Sequence, residues 1–243
     1  MPRPHPPILA DHPPITSFVH HRARLTEGQQ AAWDRWWSVR GRDVADLPAW
    51  EPSAWFGRTA PLVLEIGPGM GESTAAMAAA APEVDHIAVE VFEPGLAQLL
   101  MRMEDAGLGN LALLRGDAVA LLRDGVPADS LDVVRIYFPD PWPKRKHRKR
   151  RLVQPEFVAL AASRLRPGGT LHLATDWDDY ATQMLAVCSA EPSLENTTAD
   201  GWIARPEWRP VTKFEQRARI EGRDVHDLLF LRHTGGPPTD HEP

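Results

Sequence analysis

Glu65, Gly67, Gly69 and Gly71 fall in one stretch, Glu65-Ile66-Gly67-Pro68-Gly69-Met70-Gly71, directly after a short apolar run. Glycines in such a turn let backbone N–H groups approach a ligand, and a helix N-terminus after it favours polar or anionic groups. The dinucleotide fingerprint G-x-G-x-x-G would place its third glycine at position 72, where the chain has Glu72. Pyrophosphate also sits badly beside two carboxylates. The acid ahead of the glycines suits instead a ligand with a cationic end. Glu90 closes a second apolar run, the place where a doubly wound fold uses a carboxylate to take ribose hydroxyls. Asp117 follows a third run, in Arg115-Gly116-Asp117-Ala118. Singly, Glu90 and Asp117 read equally well as caps of the helices that follow. Together with the glycine turn they point to one crevice lined by three acids.

A sharper constellation is Tyr137-Phe138-Pro139-Asp140-Pro141-Trp142-Pro143-Lys144. Prolines on both sides of Asp140 deny it helical geometry and stiffen its backbone. A rigid carboxylate with an adjacent indole can hold a planar base and its hydrogen-bonding edge. The run Lys144 to Arg151, KRKHRKRR, follows at once and puts phosphate contacts beside that chemistry. Alone, such a run reads as a solvated loop or a localisation signal. Next to the Pro-Asp-Pro-Trp turn it reads as a nucleic-acid contact.

These residues need a scaffold, and the pattern supplies one. Apolar runs at 62–66, 86–91, 111–115, 131–138 and 170–175 each precede a helical stretch, among them 71–81 and 93–107. Repeated β–α alternation with near-continuous apolar strands predicts an α/β fold with a mostly parallel, doubly wound sheet. The run 225–232 follows a polar stretch and is expected as an antiparallel edge strand. Upstream, Trp33, Trp36 and Trp37 share one helical face and read as a packing stripe rather than a stacking site. The proline-rich segments 1–21 and 234–243 are expected to be disordered tails around a single domain over 22–233, with a helical arm at 22–60.

The chain has 243 residues, 43% of them apolar, enough for a real core. No membrane span and no secretory signal are expected. A lone Cys188 excludes an internal disulfide and fits a reducing cytoplasm. Ten histidines are present without metal-ligand spacing, so no metal is expected. The formal charge of −6 hides its distribution. Without the seven basic residues of 144–151 the chain carries 20 basic against 33 acidic residues, or −13. An acidic protein with one concentrated basic spot is the pattern to be explained.

The stretch FPDPWPKRKHRKRRL (138–152) resembles the tRNA (guanine-N7-)-methyltransferase family of the bacterial, single-chain kind. The segments EIGPGMG (65–71), VEV (89–91), GDA (116–118), LATDW (173–177) and TKFEQRA (212–218) support it, as does an upstream R-x-R-x-T segment at 22–26. The resemblance spans about 22–233. It implies a Rossmann-like class I methyltransferase fold, S-adenosylmethionine as cofactor, tRNA as partner, and methyl transfer to N7 of guanosine 46 in the variable loop. The chain would act in the cytoplasm as a monomer or homodimer, without membrane or metal. Carried over by motif, Glu65, Gly67, Gly69, Gly71, Glu90, Asp117 and Asp140 would hold the cofactor, with Asp140 also the catalytic candidate. Lys144, Asp176, Thr212, Lys213, Phe214 and Glu215 would contact the substrate, and Arg148, Arg150 and Arg151 the phosphates. Pro68, Phe92 and Ala218 depart from the family's usual Phe, His and Gly.

Guanine N7 has a free lone pair, so such a reaction needs no general base, and the main task is alignment. Attack leaves positive charge on the purine, which Asp140 or Asp176 would stabilise. Plainer roles coexist: Asp176 as a helix cap before Trp177, and Thr212 with Glu215 as a capping box. Two other functions compete. Methyltransferases acting on exocyclic or amide nitrogens carry a (D/N)-P-P-(Y/F) turn here, whereas this chain has Asp140-Pro141-Trp142-Pro143. An RNA-binding module with a vestigial cofactor pocket is the other, and the intact acid and glycine set argues against it.

Overall fold

The computed structural model describes residues 24–234 except Pro48. The proposed tail over 1–21, Arg22, and the 234–243 tail beyond Thr234 lie outside the described residues.

A helix, α1 (Glu27–Arg40), opens the described chain behind a reciprocal cap in which Thr26 and Gln29 satisfy each other's backbone N–H groups. It leads through β1 (Gly41–Asp43) and α2 (Pro52–Phe56) to the alternating units β2 (Leu62–Ile66), α3 (Glu72–Ala80), β3 (Asp85–Glu90), α4 (Glu93–Asp105), β4 (Leu111–Arg115) and α5 (Ala118–Ala120). The second half is β5 (Leu131–Tyr137), α6 (Pro155–Arg164), β6 (Leu165–Thr175), α7 (Asp178–Ser189), β7 (Leu194–Asn196), α8 (Lys213–Ile220) and β8 (His226–Arg232).

The strands form one sheet in the order β1-β4-β3-β2-β5-β6-β8-β7. Every pair from β1 to β6 is parallel, and β8 lies antiparallel between β6 and β7. The alternating pattern therefore reads correctly, including the antiparallel last run. Strands β1 and β7 went unseen because three residues are too few to show a period. All five residues of β2 are buried, as expected where helices cover both faces of a parallel sheet.

The tryptophans of α1 do pack. Trp33 and Trp37 stack with ring centroids 4.0 Å apart and lie against the α4 cluster, with the Arg115 guanidinium 5.3 and 5.5 Å from the two rings. The Gln29 amide donates to Pro94 O, tying the arm to the start of α4. Helix α1 thereby braces the strand end that carries Gly116 and Asp117.

Candidate active site

The chain runs outward from β2 through β3 to β4 on one side, and from β5 to β6 on the other. The order reverses between β2 and β5, and open α/β sheets bind ligands at the carboxyl edge of such a switch point. The glycine turn follows β2 and the Pro-Asp-Pro-Trp turn follows β5, so the two strongest motifs flank this crevice.

Gly67, Gly69 and Gly71 all take positive φ (74°, 58° and 71°), which side-chain-bearing residues rarely adopt. Gly71 starts α3 in that conformation, and its N–H closes the turn onto Pro68 O. Pro68 thus fits a tight turn between two glycines. Glu90 braces the turn from β3: Oε2 accepts from Gly69 N at 3.3 Å, and Oε1 accepts from Val91 N at 2.7 Å and Phe92 N at 3.0 Å. Burial pushes the Glu90 carboxyl above its ordinary value, the three N–H donors pull it back, and the charge of Asp140 raises it again. That last effect is the repulsion of two carboxylates that border the same crevice. Asp117 accepts from Val119 N at 2.9 Å, so its cap reading is correct as geometry.

Glu65 lies on the floor of the site, 4% exposed. Its Oε1 accepts from the Thr74 hydroxyl at 3.0 Å, while Oε2 has no protein partner. Burial pushes its carboxyl up to about 7, against the pull of Arg135, its cross-strand neighbour, and of Thr74. A buried acceptor left open under three positive-φ glycines fits a ligand that brings positive charge or N–H donors. The acid and glycine set is chemically suited to a cationic nucleoside.

The turn after β5 is strained at both ends, with φ of 51° at Phe138 and 43° at Trp142. Such conformations cost on the order of 1–3 kcal/mol each and persist only where surroundings over-determine them. Here Phe138 N donates to Ala174 O at 2.7 Å, and Arg151 Nε donates to Pro141 O at 2.8 Å. Arg150 lies 3.9 Å from the centre of the Trp142 ring, and His147 meets that ring edge-on. Asp140 is presented, exposed, at the tip. The basic run continues as a 3₁₀ helix over Arg145–Arg150, with Lys144, Arg145, Lys146, Arg148 and Lys149 exposed.

Arg151 corrects the expectation of a phosphate contact. It is 2% exposed, and beyond Pro141 O it donates to Gln183 Oε1 at 2.7 Å and Asp179 Oδ2 at 2.5 Å. A guanidinium so engaged anchors the turn and does not face an RNA backbone. Arg148 stays at the surface, 3.0 Å from Asp179.

The third wall comes from α8. Phe214 stacks on Phe138 at 5.8 Å, and Lys213 Nζ lies 3.4 Å from Glu72 at the start of α3. Thr212 accepts from Glu215 N at 3.1 Å and caps α8. Glu215 corrects a second expectation: it is 2% exposed, and Arg205, Arg209 and Arg219 surround its carboxylate. It organises the segment from within and does not touch a substrate. Asp176 caps no helix; its Oδ2 accepts from Arg223 at 3.1 and 2.6 Å, pinning the end of β6 to the turn after α8. Ala218 lies buried inside α8, not in the following turn, so it leaves the helix intact.

A family described as "Putative methyltransferase" matches residues 59–228. A tRNA (guanine-N(7)-)-methyltransferase of Streptomyces avermitilis is 52% identical over 90% of this chain and 75% of its own. Another from Nocardia farcinica is 52% identical over 90% of this chain and 84% of its own, and one from Nitrosomonas eutropha 46% over 92% and 99%. The chain belongs to the tRNA (guanine-N(7)-)-methyltransferase family. Among solved structures, the 16S rRNA methyltransferase KamB superposes with a TM-score of 0.55 at 17% identity, covering 73% of this chain and 90% of that one. That likeness shows the class I methyltransferase fold.

Several residues that shape the family's crevice here escaped the sequence reading. Gly95 is one: a Cβ there would stand 2.3 Å from Gly69 O, so the start of α4 can approach the glycine turn only without a side chain. A lone glycine in a helical pattern gave no such signal. Arg135, His172, Arg209 and Asp227 are others, polar groups far apart in sequence that meet only once the fold assembles.

Proposed function

We propose that this chain transfers a methyl group from S-adenosylmethionine to N7 of guanosine 46 in the tRNA variable loop, in the cytoplasm. The reading rests on family membership together with one observation. The strained turn presenting Asp140 follows β5 and borders the same switch-point crevice as the glycine turn that Glu90 braces, with an exposed basic 3₁₀ helix continuing from it. When bound, the cofactor supplies a methyl group already activated by a sulfonium. Glu65, Glu90, Asp117 and the glycine turn would hold it, the first through its open oxygen. Asp140, on a turn pinned at both flanks, would orient the guanine and offset the positive charge that develops on the purine. The exposed bases of 144–149 would fix the tRNA by its phosphates.

The test is to incubate the protein with isotopically labelled S-adenosylmethionine and unmodified tRNA, digest the product and map the methylated nucleoside. Label in 7-methylguanosine at position 46 is expected; label on an exocyclic amine, or none, overturns the reading. Asp140→Ala, at an exposed position outside the core, should lower turnover roughly 100-fold or more in a variant that still folds.

A further inference from the structure

Arg209 is the largest fully buried side chain among the described residues, and it is a charge. Its guanidinium reaches in two directions. Toward the sheet, Nε and Nη2 grip both oxygens of Asp227 on β8, at 2.8 and 2.7 Å. Toward α8, Nη1 donates to Glu215 Oε2 at 2.9 Å. The same group lies 5.7 Å from the Tyr137 ring and 5.8 Å from the Phe138 ring, the first residue of the strained turn. Asp227 is held in turn by His172, whose Nε2 lies 2.9 Å from Oδ1. A carboxylate only accepts, so Nε2 carries the proton and Nδ1 accepts from the Tyr137 hydroxyl at 2.8 Å.

This arrangement is poorly explained as stabilisation alone. Apolar side chains of similar volume hold a fold at least as well as a buried ion pair, because both ions lose their hydration. What a bidentate guanidinium adds is direction. Helix α8 is short, and its leading segment joins the sheet by one isolated backbone bridge, Ile203 with Asp227, and by ring contacts of Trp202 with His226 and of Trp208 with His172 and Arg135. None of these fixes a direction as a bidentate pair does. Arg205 reinforces the link, donating to Arg209 O at 2.5 Å and standing 3.4 Å from Glu215.

We infer that Arg209 is a positioning residue for the methyl-transfer reaction. By joining Asp227 of the sheet to Glu215 of α8, it sets Thr212 to Phe214 against the Phe138–Trp142 turn and so places the guanine for in-line attack. It touches neither cofactor nor RNA. This rests on the function proposed above.

The experiment is single-turnover methylation of tRNA by the full chain, at saturating protein and S-adenosylmethionine, for wild type, Arg209→Lys and Asp227→Asn. Lysine keeps the charge but cannot grip Asp227 at two points and reach Glu215 as well. The asparagine of the second variant keeps the shape and one acceptor on β8, and leaves the backbone bridge to Ile203 in place. A misplacement near 1 Å costs roughly 100-fold in rate. The rate constant should therefore fall at least 10-fold in each variant that folds, with reaction amplitude and S-adenosylmethionine affinity within twofold of wild type. A purely structural role would instead lower the amplitude, the fraction of active molecules, at an unchanged rate constant. That outcome, or wild-type rate constants, overturns the inference. If Arg209→Lys fails to fold, Asp227→Asn alone decides. Wild-type protein that methylates nothing would overturn the function itself, a result the variants cannot mimic.

Discussion

Glu65 concentrates the chemistry of the site into one side chain. In the unfolded chain it titrates near 4.5, but burial moves the folded group up to about 7. Below about 4.5 both states are protonated, and the neutral carboxyl contributes its full stability. Between 4.5 and 7 the unfolded state ionises while the folded state does not, so stability falls as pH rises. Above 7 that contribution is gone. The shift corresponds to at most about 3 kcal/mol. Glu65→Gln keeps the Thr74 contact and removes the titration. Urea denaturation from pH 4.5 to 8 should show wild-type stability declining more steeply than the variant's, and parallel curves would contradict the assignment. A cationic ligand over Glu65 favours its ionised form, so cofactor binding near pH 6.5 should release protons. Calorimetry in buffers of different ionisation enthalpy detects that release, which Glu65→Gln should abolish.

At the scale of elements, the Pro-Asp-Pro-Trp turn holds two residues at positive φ because its flanks are pinned, and Arg151 is one of the pins. Arg151→Met removes three hydrogen-bonded contacts and should lower unfolding free energy by about 2 kcal/mol. Turnover should drop at least 10-fold as Asp140 loses its placement. The salt dependence of tRNA binding, followed by fluorescence anisotropy, should stay unchanged, since the side chain meets no phosphate; a slope lowered by one unit would restore the phosphate role. The case also marks what a sequence carries. Strands β2 to β6, the glycine turn and the three strand-end acids are legible because each depends on local period, spacing or a backbone requirement. KRKHRKRR looks uniform because charge is written in the sequence and burial is not. Only the meeting of the turn with α7 separates the anchor Arg151 from its exposed neighbours. The same holds for Gly95, whose reason is a carbonyl on another element, and for Glu215, whose arginine partners fold back onto it.

For the whole molecule, the question is how a protein at −6, and −13 outside one window, engages a polyanion. Acidic surface elsewhere opposes general adhesion, so binding should depend on the basic 3₁₀ helix and on little else. Each phosphate contact contributes a slope of about 0.7 to 0.9 to the fall of log K with log salt concentration. Triple charge reversal at Arg145, Lys146 and Lys149, all exposed, should therefore flatten the slope by about two to three units and weaken tRNA binding most at low salt. Affinity for S-adenosylmethionine should be untouched, because the acids and glycines of the crevice stand on other elements. Reversal at Arg123, an exposed residue that pairs with Asp124 at the end of the segment after β4, removes a positive charge away from the run. It should leave the slope as it is. A slope change for the Arg123 variant about one third of that for the triple, in proportion to the charge altered, would mean that tRNA reads the protein's total charge, and the basic run would then have no oriented role.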